Sequence, residues 1–308
     1  MKESRLLWLT VILFAVAALW HFGIRAQWQQ RFPAGWSQEF NFIGISTLPE
    51  NATRNFPPVD STGLYQRTFH IIERTAQSVT LQDHYIIRDP LTDAFTYGYT
   101  FQAEVDPRTG QHLHERYQGD YYIFPREVQQ TTYRIRNSYL EGVPLSFVDE
   151  HEIEGLRAYH FAYHGPAEYT KSYSNAQDET QGAVTQRVQI RCADDQFQID
   201  FWVEPITGEI LKINESCYAG DYAYDAANGA RLYPILRWGA VTEGDDVLLR
   251  ADQVRVERTH YLWITRYISL LLFGTGTISF VATLCTGILR SRFTWRTRLA
   301  GRLGYVQP

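Results

Sequence analysis

Apolar runs bracket this chain, and between them polar and apolar positions alternate with a period of two. Leu6 to Ile24 is apolar apart from Thr10 and His21, and Tyr267 to Leu289 carries no charged residue. At about 1.5 Å per residue, either run coiled as a helix would cross ~30 Å of hydrocarbon. Residues 6–24 and 267–289 are therefore expected to be transmembrane helices. In the stretch between, Phe95, Tyr97, Tyr99, Phe101, Ala103 and Val105 fall on one face of an extended segment, with Thr96, Gly98, Thr100, Gln102 and Glu104 on the other. Val188, Ile190 and Cys192 repeat the pattern, as do Phe197, Ile199, Phe201 and Val203, and the shorter Tyr159, Phe161, Tyr163. Val79, Leu81 and Tyr85-Ile86-Ile87 suggest another strand. Such alternation predicts antiparallel strands with one packed face and one wetter face.

The punctuation between these runs repeats. Val105-Asp106-Pro107-Arg108-Thr109-Gly110 reads against Val203-Glu204-Pro205-Ile206-Thr207-Gly208. Proline presets φ at the first turn position, and glycine supplies a positive φ near the end. Pro107, Thr109, Gly110 and Pro205, Thr207, Gly208 are thus expected in hairpin turns. Gly119-Asp120-Tyr121 and Gly220-Asp221-Tyr222 follow in the same order. Matches at nearly one offset favour an internal duplication, and convergence on a common turn is the alternative. The expected fold is mainly β: two related antiparallel units, residues of about 35–135 and 140–230, tethered by a helix at each end. The stretch 230–260 reads as a return toward the membrane, with Leu248 to Val256 either a short helix or a last strand.

Charge orients the two spans. Lys2 and Arg5 precede the first, and Arg290, Arg292, Arg296, Arg298 and Arg302 follow the second with no acid among them. Short flanks rich in Lys and Arg stay in the cytoplasm. Residues 1–5 and the basic tail 290–308 are then cytoplasmic, and 25–260 form an extracytoplasmic domain of a two-pass plasma-membrane protein. Ile24 lies at −3 to a cut after Ala26, which disfavours cleavage, so the first span is expected to remain as an anchor. The chain has 29 basic and 34 acidic residues. Setting aside eight cations and one acid at the spans leaves 21 and 33, about −12 for the outer domain. That balance argues against nucleic acid as a partner. Cys192 and Cys217 lie in that domain, where an oxidising compartment permits a disulfide; two buried thiols are the alternative. Cys285 sits inside the second span.

A family resemblance adds to this reading. Tyr122-Ile123-Phe124-Pro125, Thr132-Tyr133, the run Phe147-Val148-Asp149-Glu150-His151-Glu152-Ile153-Glu154-Gly155-Leu156-Arg157-Ala158-Tyr159-His160-Phe161, and Val203 to Ile210 form a recognisable series. With them the chain resembles the bacterial porin PorA family of actinobacterial envelopes. The resemblance implies an N-terminal helix, an outer domain, a C-terminal helix and a basic tail. Its motifs are structural, so it implies no catalytic residue, cofactor or metal.

Candidate chemistry is sparse. His112 and His114 have the i, i+2 spacing that could hold a metal on a strand, but lack an identifiable third ligand; solvated strand histidines are the simpler reading. His160 and His164 read as edge or surface residues. Asp149, Glu150, Glu152 and Glu154, the pair Asp194-Asp195 and the pair Asp245-Asp246 read as turn and surface acids, with Asp194-Asp195 at a hairpin tip. Neither a nucleophile elbow nor a phosphate-binding loop occurs. Thr275, Ser279, Thr283 and Gly287 recur every four residues and predict a small, hydroxyl-bearing packing stripe on the second span, for pairing with the first span or for homo-oligomerisation. The functional expectation is a non-enzymatic envelope protein without cofactor, whose outer domain binds or relays a lipid or other apolar ligand. The 45 aromatic residues could line a cavity as well as fill a core. The alternatives are an envelope scaffold and an oligomeric pore component, as the family's name suggests.

Overall fold

The structure, a computed structural model, describes residues 2–25, 29–33, 35–47, 61–89, 91–137, 140–167, 188–225 and 227–303. Contacts divide the chain into two units, Met1–Gln29 with Thr259–Pro308, and Gln30–Arg258.

The first unit is helical. Helix α1 (Lys2–Leu19) ends in a π-helical turn, Trp20–Ile24. Another π-helical turn, Trp263–Tyr267, follows α2 (Gly244–Leu262) and leads into α3 (Ile268–Leu303). Leu7–Ile24 and the helical stretch that includes α3 are long and apolar enough to cross a membrane. The contact between α1 and α3 is built from small and hydroxyl residues. The Thr10 and Ser279 hydroxyls share a hydrogen bond of 2.7 Å, and Gly276 admits the ring of Phe14. The Trp20 indole N–H donates to the Ile264 carbonyl at 3.0 Å.

The expected stripe is only partly on this contact. Ser279 and Thr283 are half-buried, whereas Thr275 and Gly287 are exposed and Gly276 is buried instead. A row every four residues winds around a helix of 3.6 residues per turn. The buried side follows Ser269, Leu272, Gly276, Ser279 and Thr283, which averages 3.5 residues and stays on one seam. The basic segment from Arg290 to Leu303 continues α3, and residues 304–308 lie outside the described residues.

The second unit is mainly antiparallel β. Its described strands are β1 (Ser37–Thr47), β2 (Ser61–Arg74), β3 (Val79–Arg88), β4 (Phe95–Val105), β5 (Tyr133–Ile135), β6 (Val143–Ile153), β7 (Leu156–Gly165), β8 (Val188–Cys192), β9 (Phe197–Val203), β10 (Ile210–Asp225) and β11 (Arg231–Thr242). They form one sheet in the order β4-β3-β2-β1-β11-β10-β9-β7-β6-β5, with β8 beside β10. Single bridges, Val105 to His112, Gln111 to Tyr121 and Tyr121 to Ile135, link β4 back to β5 and close the order on itself. Alternation along the strands turns Phe40, Phe42, Phe69, Leu81, Val105, Phe161, Ile199 and Phe201 into one core. Tyr122, Ile123 and Phe124, on the segment between β4 and β5, fill that core from within. A pocket lined by these residues, Phe40 and Phe69 among others holds about 10 Å³, no more than a water molecule needs.

Two expectations change here, and a third, left open between helix and strand, is decided. Residues 231–242 are not a return toward the membrane but strand β11, which pairs β1 on one side and β10 on the other and so joins the two halves. Leu248 to Val256 is helical, within α2. Asp194-Asp195 is not a hairpin tip. Both β8 and β9 pair antiparallel with β10, end to end, so the acids kink one interrupted strand, with Asp194 at φ +53°. Cys192 and Cys217 form a disulfide across this kink, with Cα atoms 5.8 Å apart.

Candidate functional site

A cleft of about 380 Å³ opens between the start of β1 and helix α2, lined by Trp36, Gln38, Asn41, Glu209, Arg250 and Glu257 among others. The helix presents a mixed face to the sheet. Ala251 and Val254 pack on Leu156, Ala158 and Leu211, while Asp246 and Arg250 are also buried. Asp246, in the first turn where carboxylates suit the helix dipole, accepts from the Asn41 side-chain amide at 3.1 Å and its backbone N–H at 3.3 Å. One turn on, Arg250 donates to the Ile210 and Glu39 carbonyls, each at 2.8 Å, and its guanidinium lies 3.8 Å from the centre of the Phe40 ring.

Charges are stacked behind the cleft. The Arg31 side chain is fully buried and donates to Glu209 Oε1 at 2.6 Å, to the Phe124 carbonyl at 2.7 Å and to the Gly208 carbonyl at 3.3 Å. Glu209 also accepts from the Trp36 indole at 3.4 Å, and its second oxygen lies 3.9 Å from Arg250. Arg126 donates to Glu257 at 2.7 Å. Burial pulls the Arg250 pKa down, opposed by the carboxylates of Glu209 and Asp246. Burial pushes the Glu257 carboxyl up, and neighbouring Glu209 adds to this while Arg126 opposes it. In a low-dielectric setting such groups stay only because each finds a hydrogen-bonding partner.

Gln38 breaks that rule. It is 6 % exposed, lines the cleft, and neither its amide nitrogen nor its amide oxygen has a hydrogen-bond partner. A buried amide left without partners costs on the order of 1–3 kcal/mol. Its side chain contributes to the cleft wall, while its amide nitrogen and oxygen are sealed from water without a partner.

The two turns singled out in the sequence share one pattern of hydrogen bonds; at the second, the Thr207 hydroxyl also donates to Glu204 Oε2 at 2.8 Å. Asp106 Oδ1 accepts from the N–H groups of Arg108 and Thr109, and Glu204 Oε2 from those of Ile206 and Thr207. Gly110 and Gly208 take φ of +78° and +75°. Thr109 and Thr207 hydroxyls each accept from the N–H two residues on, at 3.2 Å. Pro107 and Pro205 hold the position after the acid. The same pattern recurs at Asp89, with Leu91 and Thr92 as donors and Asp93 at φ +55°. The turn is therefore a recurrent device of this sheet. The second example feeds the cleft directly, because Glu209 follows Gly208. Glu204 is buried behind it, which raises its pKa against the pull of the Thr207 N–H, and it lies 3.2 Å from Arg258.

His112 and His114 do not form a ligand pair. His112 is buried, bonded through Nε2 to the Arg136 carbonyl at 2.9 Å, and burial lowers its pKa. His114 accepts from the Arg116 N–H and caps the short 3-10 helix Glu115–Tyr117 that ends the strand geometry. Sequence reasoning missed Arg31, Gln38, Glu209 and Arg250. The one available signal was a set of charged residues adjoining apolar ones, Arg31-Phe32 and Arg250-Ala251, which is too common to single them out.

The family model described as Porin PorA covers residues 100–285, which take in the second half of β4, β5 to β11, α2 and most of the apolar part of α3. A search of the curated proteins finds no match.

Proposed function

The chain belongs to the porin PorA family, and from that premise we propose that it is a two-pass membrane protein whose β unit binds a small polar ligand in the β1–α2 cleft without covalent chemistry. The observation that carries the reading is Gln38, a buried amide with donor and acceptor unpartnered at the wall of a cleft of about 380 Å³. That volume falls within the ordinary range for small-molecule sites. Asn41, Arg250 and the nearby carboxylates suit a ligand bearing both a donor and an acceptor. Around Tyr122, Ile123 and Phe124 the interior holds about 10 Å³, which favours the cleft over that part of the core as the place for a ligand. Both termini are cytoplasmic and the β unit extracytoplasmic, on the strength of the Lys and Arg flanks. The disulfide supports an oxidising compartment for that unit. The recurring Pro-x-Thr-Gly turns and the Gly-Asp-Tyr pairs are remnants of an internal duplication.

Native mass spectrometry of the full chain, extracted in a mild detergent, tests the ligand. A co-purifying polar mass present in the wild type and lost in Gln38→Leu supports the proposal. A bound lipid retained by Gln38→Leu would instead support the apolar ligand expected from composition. Bare protein in both would overturn ligand carriage in this cleft. If bare protein is accompanied by conductance in planar bilayers, the pore reading takes its place.

A further inference from the structure

On the outer face of the sheet, beside the apolar cluster that seats α2, two histidines and a carboxylate meet outside the lining of the cleft. Asp149 and His151 lie on β6, and His160 lies opposite Asp149 on β7. His151 Nε2 and His160 Nδ1 are each 3.0 Å from Asp149 Oδ1. The three prospective ligand atoms all lie within 4.8 Å of one another, so one ion between them could reach all three.

A β-bulge creates this meeting. Phe147 pairs with Phe161, but the next paired residue on β6 is Asp149, opposite His160, so Val148 is the extra residue. Strict alternation would put Asp149 and His151 on the same face as Phe147. The bulge moves them to the opposite face, where His160 already points. Bulges re-aim side chains in this way and are frequent beside functional sites.

The surroundings are those of a metal-binding imidazole. The other nitrogen of His160, Nε2, lies 2.9 Å from Asp200 Oδ1, and Asp200 is 6 % exposed. A ligand histidine characteristically gives its second N–H to a carboxylate, which fixes the tautomer and turns the free lone pair toward the metal. Here that would leave Nδ1 aimed at the Asp149–His151 side. The ring is held in plane by Trp202, stacked at 4.7 Å with an angle of 4°. Gln198 donates to the other oxygen of Asp200 at 2.9 Å, holding the carboxylate in place.

We propose that Asp149, His151 and His160 bind a borderline divalent transition-metal ion of the zinc class, with Asp200 as the positioning carboxylate. Two imidazoles and one carboxylate suit such an ion better than calcium or magnesium, which favour all-oxygen sets. Three protein ligands leave a position for water or for a group from outside, as in open zinc sites. The site goes beyond the cleft proposal and does not rest on it.

The test is isothermal titration calorimetry of chelator-treated full chain in detergent with zinc chloride. The wild type is expected to bind one zinc per chain at this site. His151→Ala, at an exposed position, should weaken that binding at least tenfold with the circular dichroism spectrum unchanged. Asp200→Asn should weaken it by about 10–100-fold, as for other positioning partners of metal-bound histidines. An Asp149→Asn/His151→Ala double variant that folds and still binds zinc as the wild type does would overturn the proposal. So would a wild type with no heat of binding at tens of micromolar zinc. Magnesium chloride in place of zinc should give no heat that His151→Ala removes; such a heat would contradict the assigned class of ion.

Discussion

Replacing Glu209 with glutamine tests the account of the buried charges most directly. The carboxylate stands between two buried guanidiniums, 2.6 Å from Arg31 and 3.9 Å from Arg250. Both guanidiniums are shielded from water, with side-chain exposures of 0 % and 4 %. Glutamine keeps the shape and one acceptor but removes the charge, leaving two cations facing a neutral amide. Removing one partner of a buried ion pair costs about 3–5 kcal/mol, because the remaining charge has lost both water and counter-ion. For a domain of this size, each kcal/mol moves Tm by about 2–4 °C, so the variant should melt roughly 6–20 °C below the wild type. Thermal unfolding of the full chain in detergent, followed by circular dichroism of the β signal, reads this out. Asp93→Asn is the control. Its pair with Arg88 spans 3.6 Å and is exposed on both sides, so the change should stay within about 1 kcal/mol. If Glu209→Gln melts within 2 °C of wild type, or no lower than Asp93→Asn, the claim that Glu209 neutralises the two cations fails.

Two further outcomes follow from the same physics. Alanine at Gly208, Gly110 and Gly229 should destabilise unequally, although all three have φ between +71° and +78°. At Gly229 a Cβ meets nothing within 4 Å, so only the left-handed backbone, about 1–2 kcal/mol, is lost; at Gly110 it would lie 3.1 Å from the Ile123 carbonyl oxygen, and at Gly208 2.1 Å from that of Pro125. Melting temperatures should fall in that order, and a Gly208→Ala variant as stable as Gly229→Ala would contradict the packing described. His112 carries a pH dependence. Its folded pKa is lowered by burial, so on acidification the unfolded chain takes up a proton before the folded one does. Stability from this group is present above about pH 6.5 and is lost as pH falls below it. The urea midpoint should therefore drop further between pH 7 and pH 5 in the wild type than in His112→Gln; equal drops would remove His112 as the source.

The sequence by itself determined the features that depend on near neighbours along the chain. Two uninterrupted apolar runs specified two membrane-length helices, because hydropathy needs no partner to be read. Period-two alternation located β4, β7, β8 and β9, because a strand puts successive side chains on opposite faces whatever lies beside it. The acid-Pro-x-Thr-Gly turns were readable because their hydrogen bonds close within six residues. What only the tertiary structure decided are the relations across the sheet. Arg31 and Glu209 are 178 positions apart and meet only because β11 brings β1 alongside β10. Gln38 is unpartnered only in view of what surrounds it. Asp149 and His151 share a face with His160 only because the chain admits one extra residue at Val148. Alternation assumes an unbroken register, and a bulge reverses it for every residue that follows. Register is set by the pairing of one strand with another, and so the faces that carry the chemistry were fixed by contacts no local pattern records.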